Sequence, residues 1–525
     1  MMEQSEDRSD GGEAAQEPIV ALLTDPRTHG LERGRVDHIV THGAHVFLAG
    51  DDAYKMKRAI TLPYMDFSTL ARRKSVIARE FAINLPNAPD VYLGVIPVTR
   101  QSDGTLALGG GGVAVEWLLH MRRFDDADIL ASMARNAPLA DTLATATADA
   151  VYDAHANAPV VTRDDGGAMI AELVADLAAN LGKSAALLGK DDIVRWANAF
   201  DEGAERIAPL LDRRGRTGCL RRCHGDLHAG NIAIVGGKPI LFDALEFDER
   251  LATTDILYDL AFLLMDLCRL GQRRAANIVL NRYLWRDGQL DTLDGLRAMP
   301  LFLGLRAAVR ALVSADRAAS TKDDAASAND ARDYLARAMA HLLVPPPTLI
   351  AVGGLSGSGK SRLAADLAPR IGAAPGAVHL RSDLERKSLF GREDIERLPA
   401  AAYDYEVTRS VYDILLAKAD RALEAGATVL VDAVNADEAE RDAVEAVAAR
   451  RGATFQGFWL DVPTDVRAAR VSRRTGDASD ATVDVAIQQD ALQIGCVAWR
   501  RIDASGKPAE TLGAVLHLLG AAVGP

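Results

Sequence analysis

Cysteine is scarce: Cys219, Cys223, Cys268 and Cys496 are the whole complement in 525 residues. So few cannot staple a chain of this length, which excludes a disulfide scaffold and leads us to expect a reducing cytoplasm. Cys219 and the Cys223-His224 pair lack a second Cys/His pair, so a structural zinc site is not expected. Long apolar runs are missing too. The richest, residues 256–270, carries Asp259 and Asp266 and reads as a buried helix rather than a membrane span. Residues 1–18 hold six acids and neither the basic start nor the hydrophobic centre of a signal peptide; a disordered acidic tail is expected. Basic excess is absent as well. The net charge of −13 divides into −4 from residue 348 onward and −9 before it. A protein that lives on nucleic-acid backbones would carry the opposite sign, so nucleic acid is not an expected partner. There is no internal repeat.

A chain this long exceeds a single core. The clearest break is Val344-Pro345-Pro346-Pro347, because three prolines cannot continue a helix and make a short stiff link. We therefore expect a tail at 1–18, a domain at 19–343, a linker at 344–347 and a second domain at 348–525. Strand patterns at 35–41, 44–49 and 53–57 and a helical pattern at 70–85 open the first domain. Beyond about residue 125 it is mostly helical, apart from 219–247. A small mixed lobe followed by a helical lobe predicts an α+β, two-lobed architecture. Gly109 to Gly112 reads as a hairpin turn between 106–108 and 113–115 rather than a phosphate cradle. In the second domain, apolar runs at 348–352, 377–380 and 427–431 alternate with helical stretches, which predicts an α/β fold with a parallel sheet.

His224-Gly225-Asp226-Leu227-His228-Ala229-Gly230-Asn231 has the H-x-D-x-x-x-x-N spacing of a kinase catalytic loop. In that pattern Asp226 is the base that accepts a hydroxyl proton, and Asn231 offers an amide oxygen to Mg²⁺. Residues 232–235, Gly236-Gly237 and 239–243 read as a hairpin that returns Asp243 toward Asn231. A two-residue turn pairs Val235 with Lys238 and throws Asp243 to the face opposite Asn231; shared metal binding needs a three-residue turn or an equivalent bulge.

This octapeptide, with Asp243, Tyr54-Lys55-Met56-Lys57-Arg58 and Met121-Arg122-Arg123, resembles the aminoglycoside phosphotransferase-like family, relatives of the protein kinases. The likeness spans most of residues 35–340. It implies Asp226 as catalytic base, Asn231 and Asp243 as Mg²⁺ ligands, and a strand lysine on the ATP phosphates oriented by a helix glutamate. The A-x-K pattern favours Lys55; Lys57 shares its strand face and stays an alternative. Glu80 is the best partner, with a solvent-facing helix glutamate as the other reading. Glu246 is a further polar group at the metal edge, and Asp255 and Asp259 are read as capping or tying down the loop. The lysine strand has no preceding G-x-G-x-x-G, and Thr41-His42-Gly43-Ala44 is the candidate phosphate cover.

Gly354-Leu355-Ser356-Gly357-Ser358-Gly359-Lys360-Ser361 is a full G-x-x-x-x-G-K-[ST] motif between a strand and a helix. Backbone N–H groups of Gly354, Ser356, Gly357, Ser358 and Gly359 are expected to curl round phosphate oxygens. Lys360 neutralises phosphate charge and Ser361 ligates Mg²⁺. Asp383 and Asp432 follow strands whose carboxyl ends face the loop. Asp383 is read as base for the acceptor and Asp432 as metal ligand or acceptor contact, each with a helix N-cap as its other reading. Arg467, Arg470 and Arg474 share one helical face, as a helical lid closing on the phosphoryl group or as a solvated basic face. With Asp383-x-x-Arg386-Lys387, Arg470-x-x-Arg473-Arg474 and 477–481, the segment resembles small-molecule P-loop kinases related to gluconate kinase, polynucleotide 5′-kinase and zeta toxins. That resemblance implies an acceptor held by Asp383, Arg386 and the lid.

The expected protein is a cytoplasmic phosphotransferase with two sites, using ATP and Mg²⁺ on hydroxyls of small molecules. The alternative makes only the P-loop domain catalytic, as a small-molecule or polynucleotide 5′-end kinase, with the other domain sensing nucleotide or ligand.

Overall fold

The computed structural model describes residues 12–41, 43–62, 65–320, 324–473 and 478–520. His42, Arg474, Asp477 and residues 1–11 of the expected tail lie outside the described residues. By contact density the chain divides into two compact units. One comprises residues 1–138, 153–161 and 221–259; the other comprises 139–152, 162–220 and 260–525. The proline run is not their border, because the helices after residue 259 group with the P-loop fold.

The first unit is built on six antiparallel strands in the order Asp37–Val40, Ala44–Ala49, Asp52–Lys57, Val113–Arg122, Tyr92–Arg100, Leu106–Leu108. One face packs the core of Phe47, Tyr54, Met56, Val98 and Leu118. The other receives the helix Leu70–Asn84, whose N-cap Thr69 accepts from the Arg72 N–H. Arg73, Ile77, Glu80 and Asn84 recur at helical spacing, and all four are buried. Two of them are charged, so the stripe is built to be paired rather than merely packed.

Two expectations need correction. Gly109 to Gly112 is not a hairpin turn: Leu106–Leu108 and Val113–Arg122 both pair with Tyr92–Arg100, on opposite sides. The loop rounds the end of that strand so tightly that a Cβ on Gly112 would lie 2.2 Å from the Arg100 carbonyl oxygen. The acidic tail also ends sooner than expected. The helix Glu17–Thr24 begins inside it, and buried Gln16 donates to the Lys57 carbonyl and to Glu116. The same amide accepts from the Ala59 N–H, and its three partners order a segment that its charges alone would leave loose.

The second unit joins helices to a five-stranded parallel sheet in the order Val378–Arg381, Val429–Asp432, Thr348–Gly353, Thr454–Asp461, Arg500–Asp503. Thr348–Gly353 is central and nearly all buried, as an apolar strand covered on both faces must be. Ile350, Val352, Leu363, Leu367, Leu430 and Phe458 share one core cluster. Among the helices, Leu290–Ser320 is long and apolar enough to cross a membrane, but most of that stretch is buried in the protein's own core.

Candidate active sites

Alternation along Asp52–Lys57 puts Lys55 and Lys57 on one face, under Glu80. Lys55 Nζ lies 2.6 Å from Glu80 Oε1 and 2.6 Å from Asp243 Oδ1. Lys57 Nζ lies 2.7 Å from Glu80 Oε2 and 2.5 Å from Glu246 Oε1. One buried glutamate therefore orients both lysines, and their second partners separate them. The Lys55 side chain keeps 15% of its surface and ends at the half-open Asp243; Lys57 keeps 4% and ends at a buried acid. Glu246 is thus a counter-ion for Lys57, which corrects its reading as a metal-edge group. Burial alone would lift the Glu80 and Asp243 carboxyls, yet the nearby lysine charges hold both below the usual range.

The hairpin has the two-residue turn: Val235 pairs with Lys238, and Phe242 N–H donates to the Asn231 carbonyl. That register sends residue 243 away from Asn231. The chain corrects it with a left-handed Asp243, φ +60°. Two side chains and a carbonyl hold the kink. Asp243 N–H donates to the Tyr92 hydroxyl (3.0 Å), Ala244 N–H to Asn84 Oδ1 (2.9 Å) and Leu245 N–H to the His224 carbonyl (2.9 Å). Tyr92 and Asn84 were missed in the sequence. Asn84 had a signal, since it stands one turn beyond Glu80 on the buried stripe.

The structure brings Asp226 and Asn231 together: Asn231 Nδ2 donates to Asp226 Oδ2 at 3.0 Å. An amide that donates from nitrogen keeps its oxygen for other work. The Asp226 charge is felt at Asp243 and raises its carboxyl slightly against the pull of the lysines. His224 Nε2 lies 2.9 Å from the Phe242 carbonyl, and its Nδ1 accepts from the Asp226 N–H at 3.3 Å. Those partners require a neutral, Nε2-protonated ring, and burial pushes its pKa the same way. Fully buried Asp259 accepts from the His224 and Gly225 N–H groups and sits 3.1 Å from His155 Nε2. It ties down the loop that carries Asp226 and Asn231.

In the second site the P-loop is held open by three left-handed glycines, Gly354, Gly357 and Gly359. A Cβ on Gly357 would lie 2.6 Å from the Arg467 carbonyl oxygen. The helix Lys360–Leu367 leaves the loop, so successive N–H groups face inward at its start. Ser358 Oγ is buried without a hydrogen-bond partner, and Ser356 N–H donates to Gln489 Oε1 at 2.7 Å. Lys360 Nζ lies 3.3 Å from the Leu355 carbonyl, with Ser361 beside it in the first turn. The charge of Lys360 is felt at both Asp383 and Asp432. Asp432 Oδ2 lies 3.6 Å from His379 Nε2 and from Arg381 Nε. Burial raises the Asp383 carboxyl.

The arginine row is not a free lid face. Arg467 is buried and donates to the Ser356 and Ala486 carbonyls and to Asp490, so it braces the loop from behind. Arg470 reaches the P-loop rim at the Ser358 carbonyl, but its other bonds go to the carbonyls of Ala504, Ser505 and Gly506. Arg386, read as an acceptor contact, is buried against Ala402, Thr408 and the Tyr403 ring. Asn435 was missed: it is fully buried, left-handed at φ +51°, and its Oδ1 has no partner. Its neighbour Val434 accepts from the Gly354 N–H. The Asp432-x-x-Asn435 spacing, with a residue type that tolerates this backbone, was its only signal.

Residues 119–302 match the model of a phosphotransferase enzyme family, and residues 349–493 match that of an AAA domain. An uncharacterized protein of Mycobacterium tuberculosis is 31% identical over 497 residues, 93% of this chain and 96% of the relative. The chain belongs to the family of that protein. It joins an aminoglycoside phosphotransferase-like, kinase-related α+β domain to an α/β P-loop kinase domain. Among solved structures, a choline/ethanolamine kinase family protein from Mesorhizobium loti is similar at 17% identity and a TM-score of 0.38, over 63% of this chain and 95% of that one. A sugar kinase from Janibacter sp. is similar at 21% identity and a TM-score of 0.25, over 34% and 96%.

Proposed function

We propose that the chain is a cytoplasmic phosphotransferase that uses Mg²⁺-ATP at two separate sites to phosphorylate hydroxyls of small molecules. One observation carries the reading: each site sets a lysine among acids, Lys55 paired with Glu80 and Asp243, and Lys360 at the end of the glycine-rich loop with its charge acting on Asp383 and Asp432. The donor sets fit the nucleotide and its metal. In the first site an amide oxygen, a carboxylate and a lysine converge. In the second, glycine N–H groups and an unpartnered buried hydroxyl line a concave loop. When bound, Mg²⁺-ATP supplies the phosphoryl group.

In the first site Lys55 would hold phosphate oxygens, with Glu80 fixing its reach, and Asn231 and Asp243 would hold the metal. Asp226 takes the acceptor's proton. In the second site the Gly357 and Gly359 N–H groups, the Ser358 hydroxyl and Lys360 would cradle the phosphates. The Gly354, Ser356 and Ser358 N–H groups, expected to join them, donate instead to Val434, Gln489 and Leu355. Ser361 and Asp432 would hold the metal, Asp383 takes the proton, and Arg470 adds charge at the rim. The test is ADP release by wild type, Asp226→Ala and Lys360→Ala across sugars, sugar acids, nucleosides, amino alcohols, aminoglycosides and oligonucleotide ends. Each substitution is expected to abolish release for a different acceptor. Release untouched by Asp226→Ala would leave the first domain as a nucleotide or ligand sensor.

A further inference from the structure

The strand Val378–Arg381 carries the chain into Asp383 and lies at the edge of the parallel sheet, with Val429–Asp432 on one side only. An edge strand leaves a row of backbone donors and acceptors without a neighbour. Here the row is met by side chains of the helix Arg273–Asp287. Asn281 Nδ2 donates to the Ala377 carbonyl at 3.1 Å, and Asn281 Oδ1 accepts from the His379 N–H at 2.7 Å. In a parallel ladder one residue bonds the carbonyl before, and the N–H after, the residue it faces. The Asn281 carboxamide makes that same pair across from Val378, and so acts as one residue of a missing sixth strand.

Its neighbours extend the contact. Asn277, one turn earlier, also donates to the Ala377 carbonyl, at 3.0 Å. Trp285, one turn later, donates Nε1–H to the Leu384 carbonyl at 3.1 Å. Residues 277, 281 and 285 form a single stripe, and all of it grips backbone between 377 and 384. That segment contains His379, Arg381 and Asp383. Arg273 and Arg274 anchor the start of the same helix to the Gly372 and Ala365 carbonyls.

We propose that Asn277, Asn281 and Trp285 are positioning residues of the P-loop reaction. They set the strand and helix start that aim Asp383, although they stand in the matched phosphotransferase segment and not in the P-loop domain. The inference rests on the reading of Asp383 as the base of the second site. A base displaced by a fraction of an ångström loses rate without loss of nucleotide binding.

The experiment uses the full chain with Asp226→Asn to silence the first site. Two readouts are taken: ATP hydrolysis with water as the probe acceptor, and binding of a fluorescent ADP analogue with Lys360→Ala as the blank. Asn281→Leu keeps the volume and removes both bonds. It is expected to leave analogue affinity within about twofold and to lower hydrolysis about tenfold or more, with Asn281→Gln restoring most of the rate. Trp285→Phe removes a single bond from an otherwise intact ring and is expected to give a smaller loss in the same direction, should Asn281→Leu fail to fold. On an Asp383→Asn background neither substitution is expected to cost anything further. Unchanged hydrolysis in both variants, or an equal loss on the Asp383→Asn background, overturns the proposal. Full hydrolysis by Asp383→Asn alone overturns the base assignment instead, and the positioning role with it.

Discussion

Lys55 and Lys57 share a strand face and a glutamate, and their spacing alone left them interchangeable. Burial separates them. Lys57 shares Glu80 with Lys55 but is the ion-pair partner of buried Glu246, so Lys57→Met leaves Glu246 uncompensated and is expected to cost about 3–5 kcal/mol in urea unfolding. Lys55→Met removes a group that faces the pocket. It is expected to lower kcat/KM of the Asp226-dependent reaction about a hundredfold while unfolding changes by less than half that amount. Asp432 gives a second residue-scale test. Burial would raise its carboxyl, but the nearby His379 ring and the Arg381 charge bring it to about 2. A carboxyl with a lower pKa in the folded state stabilises above the unfolded value of about 3.9, and the benefit is lost as pH falls toward about 2. Asp432→Asn is therefore expected to cost about 2 kcal/mol at neutral pH. The gap from wild type should close between about pH 4 and pH 2 in urea midpoints taken across that range.

At the scale of the element, spacing and turn chemistry carried far. The H-x-D-x-x-x-x-N and G-x-x-x-x-G-K-S stretches lie on the loops they predict, and the hairpin register followed from Gly236-Gly237. What spacing could not convey is how a register is undone. A left-handed Asp243 re-aims a carboxylate, and nothing local marks it, because the groups that hold it come from residues 84, 92 and 224. The arginine row failed for a similar reason. Periodicity puts Arg467 and Arg470 on one face, but only tertiary contact decides whether that face meets phosphate or backbone carbonyls. The P-loop glycines make the element-scale prediction. Gly357→Ala forces a Cβ against the Arg467 carbonyl in a left-handed backbone. It is expected to weaken ATP-analogue binding at the second site by at least about tenfold, read by titration with an Asp226→Asn chain as reference.

For the whole molecule, the length pointed to more than one core, and the two motifs to a phosphotransferase-like part followed by a P-loop part. The proline run was a natural place to divide them, since local stiffness is visible in a sequence and side-chain bonds across distant segments are not. The two proposed nucleotide sites predict two increments of ligand stabilisation. Saturating Mg²⁺-ATP at about a hundred times Kd adds roughly 2.7 kcal/mol per site, and Lys360→Ala should remove one increment from the thermal midpoint while Lys55→Met removes the other.

The Asn281 carboxamide has a consequence for how this gene can be cut. Expressed from residue 348 onward, the C-terminal part would display an open strand edge, and an open edge recruits other edges. Such a fragment should collect in inclusion bodies or as soluble clumps, while the same residues stay dispersed in the intact chain. Recombination that passed the P-loop part to another host gene would carry that liability along, which favours inheriting the fusion whole.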